Sequence, residues 1–395
     1  MQYYNHENNF IALFNSLGES IRKEWSKENY NEDMLPSIAA RQLKKFSLHE
    51  SISASDVLNQ ALNVDSAISA HQVHSPFGDL QLIPYRHNKF YIEILYWAQG
   101  TTSIHDHAFS GAFYVLEGSS INVQYDFQFQ DKINHHFHLG ALKEAVSTRL
   151  QKGSVQEIAS GRKFIHAVYH LKNPTISIVV RTYQNDDAMP QLEYRGRHIA
   201  LVSDLSPDLT KKIQALKFIL KDVNKDSLQI FIDVLNSSPQ DDQYWILRTF
   251  YSWLIKSDHI SECLSHMTDE NSERILTTIH EEYLLTRVIE THASISDPEV
   301  KEIVAVIMNL PTWQSIIEFL SPSLSENPSN PSDIAGTILS KLKEADLISD
   351  PNLFKQSFAD FKLCPKTLPA LDKNNALELM IITKIALSNN MREKQ

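Results

Sequence analysis

Cysteine is nearly missing from this chain: among 395 residues only Cys263 and Cys364 carry a thiol. Two cysteines so placed supply neither a disulfide framework nor the paired spacing of a zinc knuckle. Basic charge is also scarce. Lys and Arg total 37 against 48 Asp and Glu, a net charge of −11 with no long basic block, which argues against a nucleic-acid surface. No run reaches the ~18 apolar residues of a membrane span. The opening MQYYNHENNF lacks the cationic and apolar regions of a secretory leader. No fixed-period repeat supports a solenoid. These absences point to a cytoplasmic protein with no membrane and no nucleic-acid partner, long enough for two or three domains.

What is present falls into three stretches. Residues 1–70 read as a helical segment packing on the middle stretch: Ile11, Leu13, Phe14, Leu17, Ile21 and Trp25 recur at helical spacing, and Ala54 to Leu62 forms a further short amphipathic run. Residues 71–200 carry short β-branched and aromatic runs (LQLIPY, FYIEILYW, GAFYVLEG, SINVQYDFQF, AVSTRLQKG, IHAVYHL, TISIVVRTY), each bounded by turn residues, the pattern of a sandwich or barrel. From 205 to 395 the period is helical, starting with Ser206 as N-cap and Pro207 at the first helical position. Ser325 to Asp333 reads as a loop, and the tail from Asn389 as frayed.

Chemistry concentrates in the middle stretch. In Gly100-Thr-Thr-Ser-Ile-His105-Asp-His107 the two histidines are two residues apart, so a strand points them to one side. Some sixty residues later Phe164-Ile-His166-Ala-Val-Tyr-His170 supplies further imidazoles from a second strand-like run. A pair from one strand and a third from another is what a metal site in a small β-barrel requires. The histidines of Asn134-His135-His136-Phe-His138 read instead as exposed members of a hairpin arm. In the helical stretch, the aromatic run Gln243–Leu254 reads as a buried core helix. His259, His266, His280 and His292 fit no motif, and Asp269 caps a helix start.

The segment WAQGTTSIHDHAFSGAFYVLEG, with Gly153-Ser-Val and Gly161-Arg-Lys-Phe-Ile-His166 after it, resembles the cupin superfamily, and within it the cysteine dioxygenase-like thiol dioxygenases. The likeness spans about Leu80 to Tyr183. It implies an α+β multidomain chain: a double-stranded β-helix barrel preceded by short helices and followed by an all-α domain. Many cupins complete the metal sphere with a carboxylate four or five residues after the second histidine. Those positions are Gly111 and Ala112 here, and Glu117 lies in an exposed turn. The ligand set is then three neutral imidazoles, His105, His107 and His166, which leave an ion its full charge and about three open positions. Imidazole suits iron, copper, nickel and zinc alike. The resemblance implies Fe(II), with other divalent metals open, and O2 added to a thiol to give a sulfinate.

By the same likeness Arg86 grips a substrate carboxylate, Tyr183 donates a hydrogen bond at the metal as a catalytic residue, and His170 takes the position of a supporting Asn. The chain also departs from the family. Ala112 stands where animal enzymes carry a cross-linking cysteine, and Pro84 replaces the first member of a Tyr-x-Arg pair. Val179 and Arg181 replace the Ser and His of the array before Tyr183. An inward Arg181 would bind substrate and favour a larger acidic ligand or a peptide C-terminus over free cysteine. The expected partners are therefore a small thiol or thiol-bearing peptide and O2, with the C-terminal helices serving a protein partner or self-association. Two readings stand beside this one: a cupin metalloenzyme that does not use O2, and a small-acid sensor.

Overall fold

The computed structural model describes residues 2–62, 78–98, 100, 102–183, 190–221, 225–256, 260–265, 267–324, 331–349 and 373–392. They divide into two compact units, Met1–Tyr125 with Ala145–Leu192, and Asp126–Glu144 with Glu193–Gln395.

The first unit opens with helices α1 (Gln2–Trp25), α2 (Leu35–Phe46) and α3 (Ala54–Leu62). The strands are β1 (Leu80–Arg86), β2 (Phe90–Trp97), β3 (Ile104–His107), β4 (Gly111–Glu117), β5 (Ser119–Lys132), β6 (Phe137–Gln151), β7 (Val155–Ile158), β8 (Gly161–His170), β9 (Thr175–Thr182), β10 (Glu193–Arg195) and β11 (Ile199–Leu201). One sheet runs β1-β2-β9-β4-β7, antiparallel throughout. Opposite it, β8 pairs with β3 on one side and with residues Ser120–Tyr125 of β5 on the other. Leu95, Phe113, Val115 and Val179 of the first layer pack with Phe164 and Val168 of the second.

The strand FYIEILYW does not alternate apolar with polar because both of its faces are covered. Phe90, Ile92 and Ile94 join Ile176, Ile178 and Val180 of β9 in a core with Phe14, Leu17, Ile21 and Trp25 of α1 and Ile38 and Leu43 of α2. Glu93, Leu95 and Trp97 turn the other way, into the space between the layers. Each large apolar side chain buried under the helices contributes about 2 kcal/mol. Helix α1 approaches the sheet so closely that a Cβ on Gly18 would lie 2.5 Å from the Tyr85 ring.

The second unit contains β10, β11 and the start of β6, with β11 pairing to Phe137–Leu139. Its helices are α4 (Pro207–Ile219), α5 (Lys225–Ser237), α6 (Gln240–Lys256), α7 (Ile260–Cys263), α8 (Glu270–Ser294), α9 (Pro298–Asn309), α10 (Trp313–Leu324), α11 (Pro331–Glu344) and α12 (Lys373–Arg392). Ser206 accepts from the Leu209 amide and Asp269 from that of Ser272, each capping its helix as anticipated. The aromatic run of α6 is core: Tyr244, Leu247, Phe250, Tyr251 and Leu254 are buried.

The architecture is thus the α+β one expected, a double-stranded β-helix with short helices before it and helices after it. Two details differ. His138 is buried on β6 against Phe129, and only His135 and His136 of that group are exposed. The tail is helical to Arg392. Residues 325–330, His259, His266 and Cys364 lie outside the described residues. No helix among the described residues is long and apolar enough to cross a membrane.

Candidate metal centre

Strand β3 sets the site. His105 pairs directly with His166 on β8, and His107, two residues on along β3, joins the same cluster although its own register partner, past a shift, is Gly161. Asp106 points the other way, where its carboxylate accepts from the Leu192 amide at 2.8 Å. The three rings are buried, with one ligand atom of each lying within 4.8 Å of the others. It is the one group of three or more metal-ligating side chains found so gathered among the described residues.

The ring orientations are set by acceptors behind them. His166 Nδ1 lies 2.9 Å from Oδ1 of Asn122, a buried residue on β5, and His105 Nδ1 lies 2.7 Å from the Ser103 carbonyl. Both contacts place the ring proton on Nδ1 and turn the Nε2 lone pair into the cluster. Nε2 of His107 sits 2.9 Å from Nε2 of His166, while its own Nδ1 is buried with no partner among the described residues. With imidazole–metal bonds of about 2.0–2.1 Å, neighbouring ligands at right angles stand about 2.9 Å apart and tetrahedral ones about 3.4 Å. The His107–His166 separation is that of a hydrogen bond between the two rings and also that of ligands at right angles.

Protonation fits a metal as well. Burial, then the neighbouring imidazoles His166 and His105 and the charge of Arg181, push His107 well below the usual histidine range. Burial and then His105 do the same to His166. Neutral imidazoles are the ligand form. Neither position where many cupins carry a carboxylate ligand can supply one. A Cβ on Gly111 would meet the Val180 carbonyl at 1.9 Å, and Ala112 packs in the core beneath the helices. Glu117 pairs with Lys152 at 2.9 Å, away from the histidines.

A narrow cavity of about 80 Å³ contains the triad. Leu95, Phe109, Phe113, Ile158, Val168 and Val179 make its walls apolar. Arg181 lines it too. Its guanidinium stacks 3.6 Å over Phe109 and pairs with Glu93 at 3.4 Å. Glu93 is fully buried on β2 and accepts from Gln81 at 2.6 Å. Burial raises its carboxyl pKa, against the opposing pull of Arg181 and Gln81.

Arg86 and Tyr183 are brought together, but not with the histidines. Arg86 Nε donates to the Tyr183 oxygen at 3.0 Å, and the Tyr183 hydroxyl donates to the His87 carbonyl at 2.9 Å. They line a separate hollow with His87 and Asn88. Arg86 ends β1, exposed, and Tyr183 lies just past the end of β9, so both sit at strand ends beside Tyr91. Neither lines the cavity that contains the triad. His170 lines the cavity outside the ligand cluster, with Nδ1 2.9 Å from Ser120 Oγ and its ring stacked 4.7 Å from Trp97. Burial lowers it to about 4.

Sequence reasoning missed Glu93 and Asn122. A single carboxylate within an apolar strand run was a visible signal for the first; nothing local marked the second.

No protein-family model matches the chain, and no curated protein matches it. Solved structures to which it is similar include an oxalate oxidase in complex with the substrate analogue glycolate (16% identity, 26% of this chain, 44% of that chain, TM-score 0.18). A cupin superfamily protein from Desulfitobacterium hafniense is 13% identical over 30% of this chain and 91% of that chain, with a TM-score of 0.19. A hydroquinone 1,2-dioxygenase from Sphingomonas sp., with 4-hydroxybenzoate bound, is 10% identical over 30% of this chain and 72% of that chain, with a TM-score of 0.21. The match spans under half the length of the oxalate oxidase.

Proposed function

We propose that the chain is a metal-dependent oxidoreductase in which His105, His107 and His166 hold one Fe(II) ion and O2 is added to a small thiol, or a thiol-bearing peptide end, in the adjoining cavity. The observation that carries this reading is the buried neutral triad with two Nε2 atoms 2.9 Å apart. Iron and thiol come from the resemblance to thiol dioxygenases. The overall change balances without a further reductant: the thiol and O2 give a sulfinic acid, both oxygen atoms ending on sulfur.

When bound, the ion supplies positive charge that favours the thiolate and open positions for ligands. The protein does the rest. Asn122 and the Ser103 carbonyl hold two rings with Nε2 forward, which limits the reorganisation needed on binding. Phe109, Phe113, Val168 and Val179 keep the reacting end dry. Arg181 places a guanidinium at the wall, where it can take a substrate carboxylate in exchange for Glu93. The C-terminal helices are assigned, in the same proposal, to a protein partner or to self-association.

Glu93 favours a second reading. A buried carboxyl with a raised pKa on the wall of a metal cavity is suited to proton transfer, which a non-oxidative lyase, isomerase or hydrolase would use. Purification without oxygen, metal analysis, and oxygen uptake on a panel of thiols separate the two. Bound iron with thiol-dependent uptake and sulfinate formation is expected. Bound metal with no uptake on any thiol overturns the oxidative reading.

A further inference from the structure

The cavity extends beyond the triad. Its lining runs along β2 from Glu93 through Leu95 to Trp97, and along β8 from His166 through Val168 to His170. Four residues of strand cover about 13 Å. Trp97 and His170 therefore close the end remote from the pair Arg181 and Glu93, with Leu95 and Val168 between.

That remote end is polar and incomplete. Trp97 Nε1 and His170 Nε2 are both buried without a hydrogen-bond partner among the described residues. His170 itself is only 9% exposed. Buried polar atoms in folded proteins are nearly always satisfied, so two orphans on stacked rings at one cavity end call for an occupant. The buried Ser120 hydroxyl and His170 Nδ1 lie 2.9 Å apart and either can donate; where the hydroxyl donates, the ring proton of His170 is on Nε2. In that tautomer Trp97 Nε1–H and His170 Nε2–H, on stacked rings, are both donors with no acceptor among the described residues.

We propose that Trp97 and His170 form a tail subsite that binds an oxygen acceptor, a carboxylate or an amide carbonyl, at the far end of a substrate whose head lies at the triad. The choice of head rests on the metal reading above; the tail subsite does not. The substrate class becomes a molecule compact enough for a cavity of about 80 Å³, with a metal-binding group at one end and an acceptor at the other.

The test is calorimetric titration of the full chain, metal-loaded and after chelation, with ω-mercapto acids of increasing length, the matching ω-mercapto amides, alkanethiols, and alkanoates without a thiol. Tail-bearing thiols should bind more tightly than alkanethiols, with affinity passing through a maximum as length increases. Trp97→Phe, which keeps the stacked ring, and His170→Phe should each lower that affinity about tenfold and leave alkanethiols unchanged. The better of the acid and amide series identifies the acceptor. Equal binding of tailed and tail-less thiols, or no effect of either variant, would mean that water alone satisfies the pair and overturns the proposal. If the triad reading fails instead, the thiol adds nothing with or without metal, yet both variants still weaken alkanoate binding.

Discussion

The guanidinium of Arg181 lies 3.4 Å from the carboxylate of Glu93, with Gln81 donating to the other carboxylate oxygen. The pair cancels its own charge at the cavity wall. Neither member is indifferent to loss of the other, because a buried charge without a counter-charge is far more costly than an intact pair.

Arg181→Met should therefore destabilise the first unit by about 3 kcal/mol, and the double substitution with Glu93→Leu should recover most of the loss. Denaturant unfolding of the two singles and the double checks this; additive losses would remove the coupling.

Asn122→Ala takes away the acceptor behind His166 Nδ1. Divalent metal affinity should fall about 10–100-fold with little change in fold, as is usual when a ligand's orienting partner is removed. Competition titration against a chromogenic chelator gives the number.

His107→Ala should abolish metal retention while leaving circular dichroism close to wild type. Loss of the whole fold would instead make this residue structural.

Gly111→Glu looks like restoration of a carboxylate ligand. It should fail, since even a Cβ there would lie 1.9 Å from the Val180 carbonyl. The expected outcome is an insoluble or unfolded chain with no gain in metal affinity, checked by yield and elemental analysis.

His280 supplies a pH prediction outside the metal site. Its Nδ1 lies 3.1 Å from the Tyr251 hydroxyl, and burial lowers its pKa from the ordinary 6.5 to about 4. A histidine depressed on folding stabilises the native state above its unfolded pKa. That stabilisation is lost as pH falls from about 6.5 to about 4, up to about 3 kcal/mol for this group. Unfolding measured across this range should show a shallower acid loss in His280→Leu than in wild type.

The gathering of the histidines was legible because strand parity is a strict rule. Two histidines in IHDH have to share a side, and Arg181 in TISIVVRTY has to share the side of Val179. Asn122 was not legible. It reaches His166 only as a diagonal neighbour in the β5–β8 register, where His166 itself faces Gln124. Arg86 and Tyr183 lie elsewhere than the triad. Their spacing fits the family, but position along a strand also decides which end of the sandwich a side chain occupies, and both fall at a rim. Strands β7, β10 and β11 are too short, at 4, 3 and 3 residues, to carry a readable pattern.

Strand β9 lies in the middle of its sheet, hydrogen-bonded to β2 and β4, with Ile176, Ile178 and Val180 under the N-terminal helices and Val179 and Arg181 toward the cavity. Its amide protons have no shallow route to deuterium and should trade with solvent only when the whole first unit opens. A wall that slow to yield cannot serve as a door, so small molecules must come and go between the layers rather than through the sheet.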